Sequence, residues 1–388
     1  MSKRYLFLVH RIFLKENEIK KGGADYIIDS LQKNYIYIYF FEFKLNEYSE
    51  YKKNENVFRL SIKYKSRKKQ IILKKFKNYS FFYKFICEIL ILNYFLFKIR
   101  KKFNIAFSIN PINTIYLLPM KFLGKINKIY FHLIDYSEER FESSFLNFIY
   151  KLFLFISFKY SFVVGFVSSS IKLLDFYDDK KFFYIPNSPL TKSLYYFKKK
   201  KFYDFIMIIP KFDIQTNWDL LIKSLHKIKK LKPSFKIAIT GYCDYQNPYF
   251  FYFKNKINSL GLKKNVIFLG YISDKNSLSK VLYNSNIAIT CYANNFYTKY
   301  SKYADSLKIR EYAAHGLPII SEGLFYNSLE AKVNRCCYIY NSPEKFLLIV
   351  KKIFSYHNKP DLFLKSIRYN KLYDKKKLIS KLFQRLGI

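Results

Sequence analysis

The chain has 388 residues, half of them hydrophobic, with only ten Gly and ten Pro, which excludes a mostly disordered or collagen-like polypeptide and favours two domains with separate cores. Its formal charge of +41, from 69 Lys and Arg against 28 Asp and Glu, invites a polyanionic partner, either nucleic acid or an anionic membrane. The lysines are spread along the chain among many Ile, Asn, Tyr and Phe, so compositional drift explains the excess equally well. The five cysteines show no metal-ligand spacing and leave one unpaired if disulfides are counted, which fits a reducing cytoplasm.

In chain order, Tyr5 to Val9 reads as a first strand, too short for a signal peptide, followed by Gly22-Gly23 and a helix from Asp25 to Gln32. The greasy stretch from Phe81 to Ile99 has the roughly twenty residues a span needs. It is interrupted by Lys84, Glu88 and Lys98, so a half-buried core helix and an interfacial helix both stay open. Strands are expected at Phe103 to Ser108, Lys128 to Leu133 and Phe162 to Ser168, with helices at Ile115 to Leu123 and Ser144 to Tyr160. Pro186-Asn187-Ser188-Pro189 and the basic run to Lys201 mark a boundary.

Beyond it the alternation is clear. Strands are predicted at Phe205 to Ile209, Phe235 to Thr240, Asn265 to Leu269, Ile287 to Cys291, Pro318 to Ile320 and Cys337 to Tyr340. Helices are predicted at Asn217 to Lys230, Tyr252 to Leu260, Ser277 to Tyr283, Ser306 to Ala314, Asn327 to Val333 and Pro343 to Phe354. This is a βαβ pattern, hence an α/β protein with a parallel, Rossmann-like sheet in each half. The domains are expected at 1–190 and 191–365, with a basic helical tail over 366–388.

Ligands of such sheets bind beyond the carboxyl ends of the strands, where helix N-termini point free N–H groups at anions. The loop after Ile287 to Cys291 leads through Asp305 and Ser306 into Leu307-Lys308-Ile309-Arg310-Glu311-Tyr312-Ala313-Ala314-His315-Gly316-Leu317-Pro318. A helix opening at Ser306 offers amides to a phosphate, Lys308 adds a positive charge, and Glu311 one turn along can accept from a ribose diol. His315 is expected as a helix-end cation that suits the dipole. His132 sits in an apolar strand, the setting of a core histidine, whereas Asp135 at the end of that strand is better placed for a cleft.

Lys308, Glu311-Tyr312-Ala313-Ala314, Gly316 and Pro318 resemble the donor-site element of the two-domain GT-B glycosyltransferases, in particular the retaining family 4. Asn265 to Ile272, Asp219 to Leu225, Ile134 to Phe141 and Ile185-Pro186-Asn187 resemble further segments of that family, so the likeness covers roughly residues 1 to 355. The resemblance implies two Rossmann-like domains facing each other across a cleft. It also implies sugar transfer from a nucleoside diphosphate sugar to an acceptor hydroxyl with retention, in cell-surface polysaccharide or glycolipid assembly. The donor site would comprise Lys211, Ser306, Lys308 and Glu311 with the glycine loop Gly22 and Gly23, and Asp135 or His132 would orient the acceptor.

No Asp-x-Asp element stands in a suitable loop, and the resemblance implies no metal and no cofactor besides the nucleotide-sugar substrate. Its partners would be that donor and a glycan or lipid-linked acceptor, with no specific nucleic acid, and the basic, aromatic N-terminal half suits docking on an anionic membrane surface. The expected location is cytoplasmic, peripheral on the inner face of the cell membrane. The chain departs from the family at three places. Lys211 stands for an Arg, without its bidentate fork, and Thr216-Asn217 replaces a Lys-Gly pair. The acidic residue many members carry eight positions before the ribose-binding Glu would fall at Tyr303, with Asp305 two positions on. A nucleotide-sugar epimerase on the same fold, or a non-catalytic basic protein that binds nucleic acid or membrane, stay open as alternatives.

Overall fold

The structure is a computed structural model. It describes residues 4–11, 13–15, 18–19, 25–34, 37–44, 55–64, 67–77, 81–134, 136–189, 201–242, 246–294, 303–355 and 359–388. The chain divides into two compact units, Met1–Val167 with Leu173–Ile185 and Ile379–Ile388, and Ser168–Lys172 with Pro186–Leu378.

The first unit runs β1 (Arg4–Arg11), the short hairpin β2 (Phe13–Lys15) and β3 (Glu18–Ile19), α1 (Asp25–Asn34), β4 (Tyr37–Lys44), β5 (Glu55–Tyr64), β6 (Arg67–Lys77) and α2 (Phe81–Lys98). It continues with β7 (Phe103–Ser108), α3 (Pro111–Phe122), β8 (Ile126–Leu133), α4 (Ser144–Tyr160), β9 (Val163–Phe166) and β10 (Phe182–Tyr184). Its eight-stranded sheet has the order β10-β9-β8-β7-β1-β4-β5-β6. All neighbours are parallel except β4–β5 and β5–β6. The central strand is buried on both faces because successive side chains alternate. Tyr5, Phe7 and Val9 join Ile27, Ile28 and Leu31 of α1, while Leu6 and Leu8 join Leu92 and Leu96 of α2 and Leu117 of α3.

β4, β5 and β6 lie in the region the sequence pattern left blank. Glu42 and Arg59 face each other across β4 and β5, with Arg59 Nε donating to the Glu42 carboxylate at 2.7 Å in the core. Charged residues at buried positions break the alternation by which a strand is recognised. The greasy stretch forms α2, and among the described residues no helix is long and apolar enough to cross a membrane.

The second unit runs β11 (Tyr203–Lys211), α5 (Trp218–Leu231), β12 (Ile237–Tyr242), α6 (Pro248–Ser259), β13 (Val266–Gly270), α7 (Lys275–Tyr283) and β14 (Ser285–Ile289). It continues with α8 (Leu307–Ala314), β15 (Ile319–Ser321), α9 (Tyr326–Val333), β16 (Cys337–Ile339), α10 (Pro343–Phe354), α11 (Lys359–Leu372) and α12 (Lys375–Leu386). The sheet is wholly parallel, in the order β13-β12-β11-β14-β15-β16. Asn217, Asn247, Asp274 and Ser342 cap α5, α6, α7 and α10 with their side-chain oxygens, fixing where each helix starts. Leu221, Leu225 and Ile228 of α5 are buried against one face of the sheet, and each such side chain contributes about 1.5–3 kcal/mol. Ile309, Tyr312 and Ala313 of α8 pack on the other face.

Each unit is thus a Rossmann-like α/β layer structure, as the alternation predicts. The last residues do not stand apart as a tail. α11 packs with the second unit, and Ile379, Leu382, Phe383 and Leu386 of α12 enter the core of the first beside Tyr5 and Phe7.

Candidate donor-binding site

In the second sheet the strand order reverses between β11 and β14, so the loops at their carboxyl ends diverge and leave room above the sheet. The loop after β11 is laid against the strand end of β14 by its backbone. Ala293 N–H donates to Gln215 O at 2.9 Å, Asn217 N–H to Cys291 O at 3.0 Å, and Thr216 bridges Tyr292. Trp218 stacks on Phe212 at 4.6 Å and donates its indole N–H to Asp213 O at 3.0 Å, which fixes the turn. Lys211 ends β11 in an exposed position. Beside this loop lies a cavity of about 590 Å³ lined by Thr216, Trp218, Asp219, Tyr249, Tyr252 and Asn294 among others.

α8 opens at the same edge. The buried Ser306 holds its place through a two-way bond with Asn327, its amide donating to Asn327 Oδ1 at 3.1 Å and its carbonyl accepting from Asn327 Nδ2 at 2.8 Å. Its hydroxyl turns to the Tyr292 hydroxyl, 3.1 Å away, and makes no cap bond to the helix. The side chain therefore leaves the Leu307 and Lys308 amides to other acceptors, the arrangement that suits an anion, while the Ile309 amide turns back to Ser306 O at 3.2 Å.

Lys308 and Glu311 follow at a spacing that puts both on one side of α8. The Lys308 ammonium lies over the Tyr292 ring, 4.5 Å from its centroid. Burial pushes it down to about 8 against the pull of Glu322 and Asp213. Glu322, just past β15, accepts from Thr290 Oγ1 at 2.9 Å and is pushed by burial up to about 7. Burial also raises the Asp213 and Glu311 carboxyls, the latter against the attraction of Lys275. Lys308, Glu311 and Glu322 are each half-buried, so a further counter-charge beside them, such as a bound anion at Lys308, would be favoured.

Neighbours of Glu311 do structural work. Tyr312 accepts from the Ile208 amide at 2.7 Å and donates to Ile289 O at 3.2 Å, tying α8 to the ends of β11 and β14. Arg310 is buried, bonded to Asp305 at 2.8 Å and paired with Glu330 at 3.4 Å, under the ring of Tyr373 at 4.2 Å. Asp305 also accepts from Ser168 Oγ at 3.1 Å. The residue whose role the motif left open is the anchor at the helix entrance.

His315 departs from expectation. It closes α8 but is buried, with Nδ1 facing Glu311 O at 2.8 Å and Nε2 facing Ser279 Oγ at 2.9 Å. Burial lowers its pKa, so it is a neutral imidazole donating from Nδ1 and not a helix-end cation.

In the first unit, Gly22, Gly23 and Asp135 lie outside the described residues. His132 is buried in β8, its Nδ1 2.8 Å from the Tyr130 hydroxyl, and Gly165 on the neighbouring strand leaves both the space they occupy. That is a core position. A cluster the sequence did not single out stands at the end of β1. His10 Nε2 is 3.0 Å from Glu88 Oε2, Tyr116 donates to the same oxygen at 2.8 Å, and Lys84 lies 3.7 Å from the other. Burial works to raise Glu88, but His10, Lys84 and Tyr116 together bring it below its ordinary value. The signal was present, since Glu88 is the lone carboxylate of an apolar helix. Among the described residues no three His, Cys, Asp or Glu are grouped to hold a metal ion.

Comparison with known proteins follows the same lines. Residues 196–322 match the family of glycosyl transferases group 1. The group 1 segment runs from before β11 to just past β15 and so contains Lys211, Ser306, Lys308, Glu311 and Glu322. The resemblance to GT-B glycosyltransferases carried by the Lys308 to Pro318 motif is borne out by this match and by the fold.

Among solved structures, the chain is similar to a UDP-forming α,α-trehalose-phosphate synthase from Burkholderia xenovorans, at 10% identity and a TM-score of 0.68, covering 99% of each chain. It is also similar to a glycosyltransferase from Rickettsia africae, at 13% identity and a TM-score of 0.66, covering 99% of this chain and 98% of the other. A third is HepE of Anabaena in complex with UDP, at 12% identity and a TM-score of 0.65, covering 99% of each. At such identities the likeness is one of fold. No curated protein matches the chain by sequence.

Proposed function

We propose that this protein transfers a glycosyl group from a nucleoside diphosphate sugar to an acceptor hydroxyl, with retention at the anomeric carbon. The observation that carries the reading is the placement of Lys308 and Glu311 one turn apart on α8, beyond the carboxyl ends of β11 and β14 within the group 1 segment. The charge that grows in such a reaction is on the departing diphosphate, and preorganised cations and amides in a dry site stabilise it. Lys308, Lys211 and the Leu307 and Lys308 amides would supply this without a metal ion. Glu311 would accept from the ribose hydroxyls. Asp135, which follows β8 in the sequence, would orient the acceptor.

The acceptor would be a glycan or a lipid-linked sugar in cell-surface polysaccharide or glycolipid assembly, with the protein held peripherally at the inner face of the membrane. HepE was solved with UDP, which makes uracil the first base to test. A thermal-shift screen against UDP-, GDP- and ADP-sugars is the direct test. One nucleotide class at a hundred times its dissociation constant should stabilise the fold by about 2.7 kcal/mol. No shift with any of them would sink the donor-site reading, and a new sugar isomer formed without acceptor would replace transfer by epimerisation.

A further inference from the structure

The outward faces of α2 and α4 are apolar where a helix in water is polar. On α4, Phe145, Phe148, Leu152 and Phe155 recur along one stripe, with Phe145 69%, Phe148 62% and Phe155 63% exposed. Tyr150, Leu154 and Ser157 on its inner side are buried, so the helix is greasy all round. α2 repeats the pattern. Ile86, Leu90, Tyr94 and Phe97 line its outer side, with Leu90 64% and Phe97 67% exposed, while Leu92, Phe95 and Leu96 enter the core.

The two helices belong to one layer on one face of the first sheet. Phe85 of α2 stacks on Phe153 of α4 at 6.0 Å, and α3 packs against both. Phe122 and Leu123 at the end of α3 add two more exposed side chains. Single exposed hydrophobics are ordinary, but a contiguous surface of this kind marks a partner.

Charge says which partner. The cations beside the stripes are Lys98, over the Tyr94 ring at 4.6 Å, Lys125, over Phe97 at 4.8 Å, and the exposed Lys151 and Lys159 on α4. The only carboxylate of the two helices, Glu88, is buried and paired with His10. Glu138, Glu139 and Glu142 come before the first turn of α4.

We propose that this α2–α4 face lies flat on a bilayer containing anionic lipid. The aromatic rings enter the boundary between headgroups and acyl chains, and the lysines reach the lipid phosphates. This surface is independent of the donor site and of the reaction performed there.

The test is flotation of the full chain with phosphatidylcholine vesicles, with and without phosphatidylglycerol. Phe148→Ser/Phe155→Ser and Leu90→Ser/Phe97→Ser keep the net charge and alter only exposed positions. The protein should float with the anionic vesicles, and each double substitution should reduce partitioning about tenfold or more, with unchanged thermal unfolding. In Phe155→Trp, the new emission should shift to the blue on anionic vesicles only, against the constant background of the buried Trp218.

Three results would overturn the proposal. They are no flotation at low salt, equal flotation of the serine variants, or a dimer that these substitutions convert to monomer without any vesicle binding. Thermal shifts with nucleotide sugars should be the same in all variants, which separates failure here from failure of the donor-site reading.

Discussion

Arg310 donates to the Asp305 carboxylate at 2.8 Å with both side chains 1% exposed, so the helix that carries Lys308 and Glu311 is held at its entrance by a dry ion pair. Removing Arg310 leaves the Asp305 charge buried, and removing Asp305 leaves Arg310 only the longer contact with Glu330. Asp305→Ala and Arg310→Met should each lower unfolding stability by about 3–5 kcal/mol, read by urea titration, and the double variant should lose less than the sum. Losses below 1 kcal/mol would show the pair to be dispensable.

With Glu311 holding the ribose as proposed, Glu311→Ala should remove charge-assisted hydrogen bonds worth about 1.5–3 kcal/mol, hence roughly ten- to a hundredfold in nucleotide affinity. Lys308→Met should weaken diphosphates and leave nucleosides bound equally. Calorimetry with nucleoside, diphosphate and sugar nucleotide separates the two, and unchanged affinity in both variants would misplace the site.

The pH dependence follows from Glu322 at about 7 and Lys308 at about 8. A carboxyl raised in the fold binds its proton more tightly there than in the unfolded chain, so stability falls as pH rises from about 4.5 to about 7. A lowered ammonium works the other way, and its penalty is relieved as pH rises from about 8 to about 10.5. Glu322→Gln should therefore exceed the parent by about 1–3 kcal/mol above pH 7, with the gap closing towards pH 4.5. Thermal unfolding across that range checks it, and a gap that does not vary with pH would contradict it.

Gly316 follows the last turn of α8 at φ +74°, and a Cβ there would lie 2.0 Å from the Phe363 ring of α11. Gly316→Ala meets both strain and overlap. It should cost about 1–3 kcal/mol, and Phe363→Ala in the same chain should recover the overlap part only.

The motif of the candidate site was legible because its residues lie within one helix and turn, Lys308 to Pro318, in a background of strong strand and helix periodicity. The ion pair of Arg310 was not, since Asp305 was read against a family position and not against its neighbour five residues on. Glu322 and Thr290 were invisible for a different reason. They stand just past two strands brought side by side at their carboxyl ends, and nothing local in either segment announces the other. His10 and Glu88 are 78 positions apart and meet only through the sheet. The β4 to β6 extension escaped because Glu42 and Arg59 satisfy each other inside the sheet, a pairing that reads as surface when each strand is taken alone.

The return of α12 to the first unit bears on how the chain is made. The core around Tyr5 and Phe7 is completed by Leu382, Phe383 and Leu386, which are synthesised only after the whole second unit. The second unit can fold while synthesis proceeds, whereas the first must hold an open apolar surface until α12 has been made. During that interval exposed strand-facing residues are available to chaperones, and shortening the chain before Ile379 should show itself as aggregation of nascent protein.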